Sequence, residues 1–84
     1  MNPRVTKARA SGEHEVLVDF SNGETRRLDL QPLFDYEVRA KLKDPAFLAR
    51  VRADHGTLAW PEGIDLDPET VYLDSVPVGI LAKA

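Results

Sequence analysis

The side chains best suited to chemistry are few. The chain has two histidines, His14 and His55, no cysteine, and fourteen acidic residues in a length of 84. Imidazole titrates near neutral pH, so an acid–base or metal-dependent centre would be expected to recruit one of the two histidines. His55 stands next to Gly56, where a turn already calls for a polar, exposed residue, and His14 opens a stretch of alternating hydrophobicity. Ser11, Ser21 and Ser75 fall in turns or near the carboxy terminus, and none sits in a nucleophile elbow. Without thiols there is no cysteine nucleophile, disulfide or cysteine zinc site. Asp65, Asp67 and Glu69 alternate as the first ligands of a calcium loop do. That loop needs glycine at its sixth position and a bidentate glutamate at its twelfth, where this chain has Thr70 and Val76. The glycines (Gly12, Gly23, Gly56, Gly63, Gly79) stand singly at turns, unlike a phosphate-binding loop. The expectation is no catalytic residue, no metal and no cofactor. The rival reading is a small metal-dependent hydrolase centred on His55 with nearby carboxylates.

Charge is distributed unevenly. The net formal charge is −3. Residues 1–52 carry ten basic and eight acidic side chains, whereas residues 53–84 carry one basic side chain, Lys83, and six acidic ones. An acidic carboxy-terminal face suits docking of a basic partner, with Trp60, Glu62, Asp65, Asp67 and Glu69 as the candidate partner-binding residues. Direct nucleic-acid binding is disfavoured in an acidic chain whose aromatic residues occupy apolar positions. Arg26, Arg27, Arg39, Lys41 and Lys43 are the only basic residues that suggest even a weak contact of that kind. No apolar run approaches the ~18 residues of a membrane span, and Met1–Ala10 has no apolar signal stretch. The expected compartment is the cytosol.

The elements that must position these residues follow from local pattern. Val16, Val18 and Phe20 alternate with Glu15, Leu17 and Asp19, and Ser21-Asn22-Gly23 then leads into Glu24–Leu30. This is the pattern of a β-hairpin with a tight Asn-Gly turn. Arg4–Ala10 alternates weakly and is read as a strand pairing with the hairpin. Pro32 breaks the second strand, and Asp35–Lys43 then reads as a short helix, with Val38 and Leu42 four apart. Asp44-Pro45 is a helix start, a capping carboxylate followed by a proline at the first helical position. Helix and strand periodicities both fit Phe47–Ala53. A helical turn at Pro45–Ala49 followed by a strand at about Arg50–Asp54 is the reading adopted. His55-Gly56 turns the chain into a strand at Thr57–Trp60, ended by Pro61-Glu62-Gly63. Asp67-Pro68 starts another short helical turn. Residues 1–74 form the expected single domain, and the apolar residues 75–84 an arm or a tail.

Several segments together resemble a known family. They are Asn22-Gly23, Leu28-Asp29-Leu30 with Pro32-Leu33, and Phe47 ahead of Val51-Arg52. Gly56-Thr57-Leu58-Ala59-Trp60-Pro61 and Asp65-Leu66-Asp67-Pro68-Glu69-Thr70-Val71-Tyr72 complete the pattern. It resembles the bacterial family called domain of unknown function 2442, from about Arg4 to Tyr72, most specifically over Leu58–Tyr72. The resemblance implies a small α+β fold without an established activity. It also implies, by analogy with longer relatives that join the domain to a helix-turn-helix, a regulatory or antitoxin-like role. Asp74–Ala84 is too short to hold such an appended motif.

The expectation is therefore one α+β domain, with a mostly antiparallel sheet of about five strands and one or two short helices packed on one face. Its expected role is a non-catalytic protein-interaction or regulatory module, docking an unidentified protein partner through its acidic carboxy-terminal face. An antitoxin-like or transcription-associated accessory domain is the alternative within that class. Homodimerisation through an exposed sheet edge is a further expectation for so small a sheet.

Overall fold

The alternating hydrophobicity of residues 15–30 produces the first sheet. The computed structural model describes residues 3–35 and 37–78. β1 (Val5–Ala10), β2 (Glu15–Phe20) and β3 (Thr25–Asp29) run as an antiparallel meander. Val16 and Val18 are fully buried, with Phe20, Leu28 and Leu30 beside them, so the even-numbered positions form the inner face. Between β2 and β3 the Asn-Gly signal makes a three-residue loop, closed by the Phe20 N–H donating to the Glu24 carbonyl at 2.9 Å. Gly23 takes φ +91°, the left-handed position that such a loop reserves for glycine.

The ambiguous stretch after Asp44 divides as expected, with a later strand start. The Asp44 carboxylate accepts from Ala46 N–H at 3.0 Å, and α1 (Pro45–Leu48) follows. Arg50 and Val51 N–H still donate back to the Phe47 and Leu48 carbonyls, so the strand begins only at Arg52. β4 (Arg52–Asp54) and β5 (Thr57–Ala59) then form a hairpin, to which β6 (Asp65–Leu66) adds. His55 and Gly56 at its tip have φ of 53° and 84°, the positive pair of a two-residue hairpin turn. Residues Glu37–Lys43, expected as an α-helix, wind as a 3-10 helix ending in an i→i−3 bond from Asp44 N–H to the Lys41 carbonyl.

The strands are thus split between two small antiparallel sheets, ordered β1-β2-β3-β7 and β4-β5-β6, rather than gathered in one. Seven strands form among the described residues, two of them only two residues long. The last, β7 (Val76–Pro77), pairs with β3. The arm expected over residues 75–84 therefore begins as an added strand; residues 79–84 lie outside the described residues. α2 (Pro68–Asp74) is capped by Asp67, whose carboxylate accepts from Thr70 N–H at 3.1 Å and from Thr70 Oγ1 at 2.8 Å. It buries Val71 completely and sets Tyr72 edge-on against Phe20, ring centroids 5.2 Å apart, which places the helix on the inner face of the first sheet. Leu42, Leu48, Leu58, Trp60 and Leu66 complete a core shared by both sheets. No helix among the described residues is long and apolar enough to cross a membrane.

Candidate functional site

The residues singled out in the sequence are dispersed. Trp60, expected at the centre of a contact surface, is only 1% exposed. Its Nε1–H donates to the Leu48 carbonyl at 3.0 Å, which pins β5 to the end of α1. It is a core anchor, and the contact role expected for it is corrected: a ring buried in the shared hydrophobic core has no face to offer a partner. Glu62, at a left-handed φ of 69°, pairs with Lys41 across the surface. Asp67 is the α2 cap, and its hydrogen bonds from the Thr70 hydroxyl and amide hold its carboxyl below the usual carboxylate range. Asp65 on β6 and Glu69 in the first turn of α2 are exposed. His55 stands on the hairpin tip with its side chain 94% exposed, 2.7 Å from Asp54. Among the described residues no three His, Asp or Glu side chains are grouped to hold a metal ion.

What does converge is a polar lock built around Arg26. Its side chain, 13% exposed, emerges from β3 and lies over the Tyr72 ring, Cζ 4.2 Å from the centroid. Its Nε and Nη2 donate to the hydroxyl and carbonyl of Ser75, each at 2.8 Å, and its Nη1 reaches Glu24 at 2.7 Å. Tyr72 Oη donates to the other oxygen of the same Glu24 carboxylate, also at 2.7 Å. The Tyr72 and Arg26 hydrogen bonds hold the Glu24 carboxyl below its ordinary range, and the Glu24 acceptor raises the Tyr72 phenol. Every charge in this cluster is met by a protein partner. Its effect is mechanical: it ties the start of β7 and the end of α2 to the first hairpin.

Beside the lock lies a groove of about 360 Å³ between β3 with its following turn and α2 with β6. Leu28, Pro32 and Leu33 line one wall, and Leu66 and Val71 the other. The polar groups at its margin are Asp29, Thr70 and Asp74. Asp29 accepts from Gln31 N–H and pairs with His14 Nδ1, both at 2.9 Å; the backbone donor first, and then the histidine, lower its carboxyl. Asp74 has no cation within ion-pairing distance among the described residues. Three residues on from Thr70 along α2, Leu73 is 65% exposed.

Asp29, Asp74, Leu33 and Leu73 were not singled out by spacing or chemistry. The family resemblance bears on Asp29 and Leu33, through Leu28-Asp29-Leu30 and Pro32-Leu33, whereas Leu73 and Asp74 lie beyond its segments.

Two small antiparallel sheets sharing one core, with a short capped helix across them, define this as a small α+β domain. The chain belongs to the family described as a protein of unknown function (DUF2442), whose model matches residues 5–76. No curated protein and no solved structure matches the chain.

Proposed function

We propose that this protein is a non-catalytic interaction module of the cytosol, and that the groove between β3 and α2 docks a basic, amphipathic segment of a protein partner. The observation that carries this reading is a groove whose accessible apolar wall is Pro32 and Leu33, over the buried Leu28, Leu66 and Val71, with carboxylates at its margin (Asp29, Asp74). Exposed Asp65 and Glu69 extend the same sign of charge along β6 and α2. Apolar floor and charged rim divide the labour found at many interfaces, where buried contacts supply affinity and rim charges supply encounter rate and selectivity. Leu73 adds an exposed apolar anchor at the edge. The expected acidic face is retained, with its centre moved from Trp60 to the groove. A role for such docking in regulation fits the family resemblance by analogy.

The test is a titration of the 15N-labelled chain with an amphipathic lysine–leucine peptide at low and high salt. Amide shifts are expected at Leu33, Leu66, Val71 and Asp74. Asp74→Lys with Glu69→Lys is expected to weaken binding roughly tenfold at low salt and much less at high salt. Shifts confined to another face, or affinity indifferent to the charge reversal, would remove the reading.

A further inference from the structure

A second site lies on the outer face of the first sheet, at the β1 side, two strands away from the groove. Val5 N–H donates to the Gly56 carbonyl at 3.0 Å, and from that point β4 packs alongside β1, so the two sheets meet edge to edge. Over this seam is a cleft of about 330 Å³, lined by residues of β1, β2 and the start of β4. Leu17 and Asp19 are among them, and these alternate with the buried Val16, Val18 and Phe20, so the cleft opens away from the core. Because β4 covers the edge of β1, the cleft offers a ligand side chains rather than an unpaired strand.

The strand register decides which charges surround it. Lys7 lies opposite Asp19 and Arg9 opposite Leu17, and residues directly opposite in an antiparallel pair share a face. Both cations therefore stand on the outer face, where they are exposed. Arg52 supplies a third cation from β4 and is held only by a long contact, 3.8 Å, to Asp54. Lys7 and Arg9 have no acidic partner among the described residues. The one carboxylate in the lining among those residues, Asp19, accepts from Thr25 Oγ1 at 2.7 Å. Arg4, just ahead of β1, is committed elsewhere and donates to the His55 carbonyl at 2.6 Å. Three cations against one carboxylate leave the lining with an excess of two positive charges, in a chain whose net charge is −3. Half-buried Leu17 and the small Ala8 and Ala53 add uncharged surface between them.

We infer that this cleft binds the dianionic phosphate group of a small organic phosphate monoester, with Lys7, Arg9 and Arg52 meeting its oxygens. Such a group carries about −1.5 to −2 at pH 7, which matches the surplus charge of the lining. A carboxylate or a phosphodiester, with a single negative charge, matches only half of it. Arginine suits this task because its planar fork donates two parallel bonds to phosphate oxygens, and lysine adds a compact charge on a flexible stem. The volume stands at the small end of ligand clefts, which run roughly 300–1,000 Å³. A phosphate on a short carbon body fits it, with the body resting on Leu17. The site is distinct from the acid-margined groove in position, in charge and in the ligand it accepts.

The test adds glycerol 3-phosphate to the 15N-labelled full chain in chloride buffer, beside glycerol and acetate at equal ionic strength. A phosphoserine peptide and a single-stranded oligonucleotide, whose internal phosphates are diesters, form two further arms. Glycerol 3-phosphate is expected to shift the amides of Lys7, Ala8, Arg9, Leu17 and Ala53, and glycerol and acetate to leave them unmoved. Arg9→Gln with Arg52→Gln should weaken that binding by about tenfold or more. Asp19→Asn keeps an acceptor for the Thr25 hydroxyl while removing the opposing charge, and should strengthen binding by about threefold. If either variant fails to fold, the amide map of the unmodified chain and the comparison with acetate still decide. Shifts centred on another face, an equal response to acetate, or unchanged affinity in the double variant would each overturn the inference. So would tighter binding of the phosphoserine peptide or of the oligonucleotide than of the free monoester. Because the groove is read with a basic peptide and different amides, either site can fail without the other.

Discussion

Replacing Trp60 by phenylalanine tests whether this ring serves the core or a partner. The Leu48 carbonyl that accepts the indole N–H also accepts Val51 N–H at 3.2 Å, so the substitution leaves it with one donor rather than none. The hydrogen-bond loss is then the net value of one bond, about 0.5–1.5 kcal/mol, without the larger penalty of an orphaned buried carbonyl. The smaller ring removes apolar contact from a site that is 1% exposed and has no solvent to fill it, adding roughly 1–2 kcal/mol. The sum is about 1.5–3.5 kcal/mol. A domain of this length holds roughly 4–13 kcal/mol in all, and the midpoint temperature should fall by about 6–28 °C. Urea unfolding followed by far-UV circular dichroism measures this, since the variant lacks the chain's one tryptophan. At a temperature where the variant remains folded, its affinity for the basic peptide should be unchanged. A loss of less than ~0.5 kcal/mol, or a selective loss of peptide binding without loss of stability, would refute the placement of Trp60 as a core anchor.

Arg26→Lys keeps the charge but cannot reach Glu24 and both acceptors of Ser75 from one planar fork. It should cost about 1–3 kcal/mol in urea unfolding, and it should raise amide exchange in β7 and at the end of α2 more than in β1. Equal exchange across the domain would contradict the role of the lock. The carboxyls of Glu24, Asp29 and Asp67 are all lowered in the folded chain, so the unfolded chain binds protons more readily than the folded one. Their contribution is full above the ordinary values of 4.5 and 3.8 and is lost as pH falls through the lower folded values. Thermal midpoints measured downward from about pH 6 should therefore decline below ~pH 4.5. Asp67→Ala should cost about 1 kcal/mol at neutral pH and shrink that acid decline. An acid profile identical in the variant would deny the cap its part.

The local devices of this protein are written in short stretches of chain. The Asn22-Gly23 loop, the Asp44-Pro45 and Asp67-Pro68 helix starts, the His55-Gly56 turn and the alternation of β2 each depend on a few neighbouring residues. Their backbone preferences and capping bonds are satisfied within one or two turns. The small α+β class follows from their order. Where Phe47–Ala53 fits both periods, the choice came from hydrogen bonds that run back into α1, which the pattern of side chains does not encode.

Everything that assembles the candidate surfaces is long-range. Trp60, a candidate contact residue on sequence alone, is fixed as an anchor only when the fold buries its ring and brings the Leu48 carbonyl to its N–H. Asp29 and Asp74 are ordinary surface acids until α2 crosses the end of β3 and sets them on one groove. Arg26, named from the sequence only among the basic residues of a weak nucleic-acid contact, becomes a largely buried tie only when Tyr72 and Ser75 return to it from the far end of the chain. The division into two sheets also belongs to the tertiary structure. Strand pairing between distant segments is decided by the shared core that both must cover, and no local spacing carries that information.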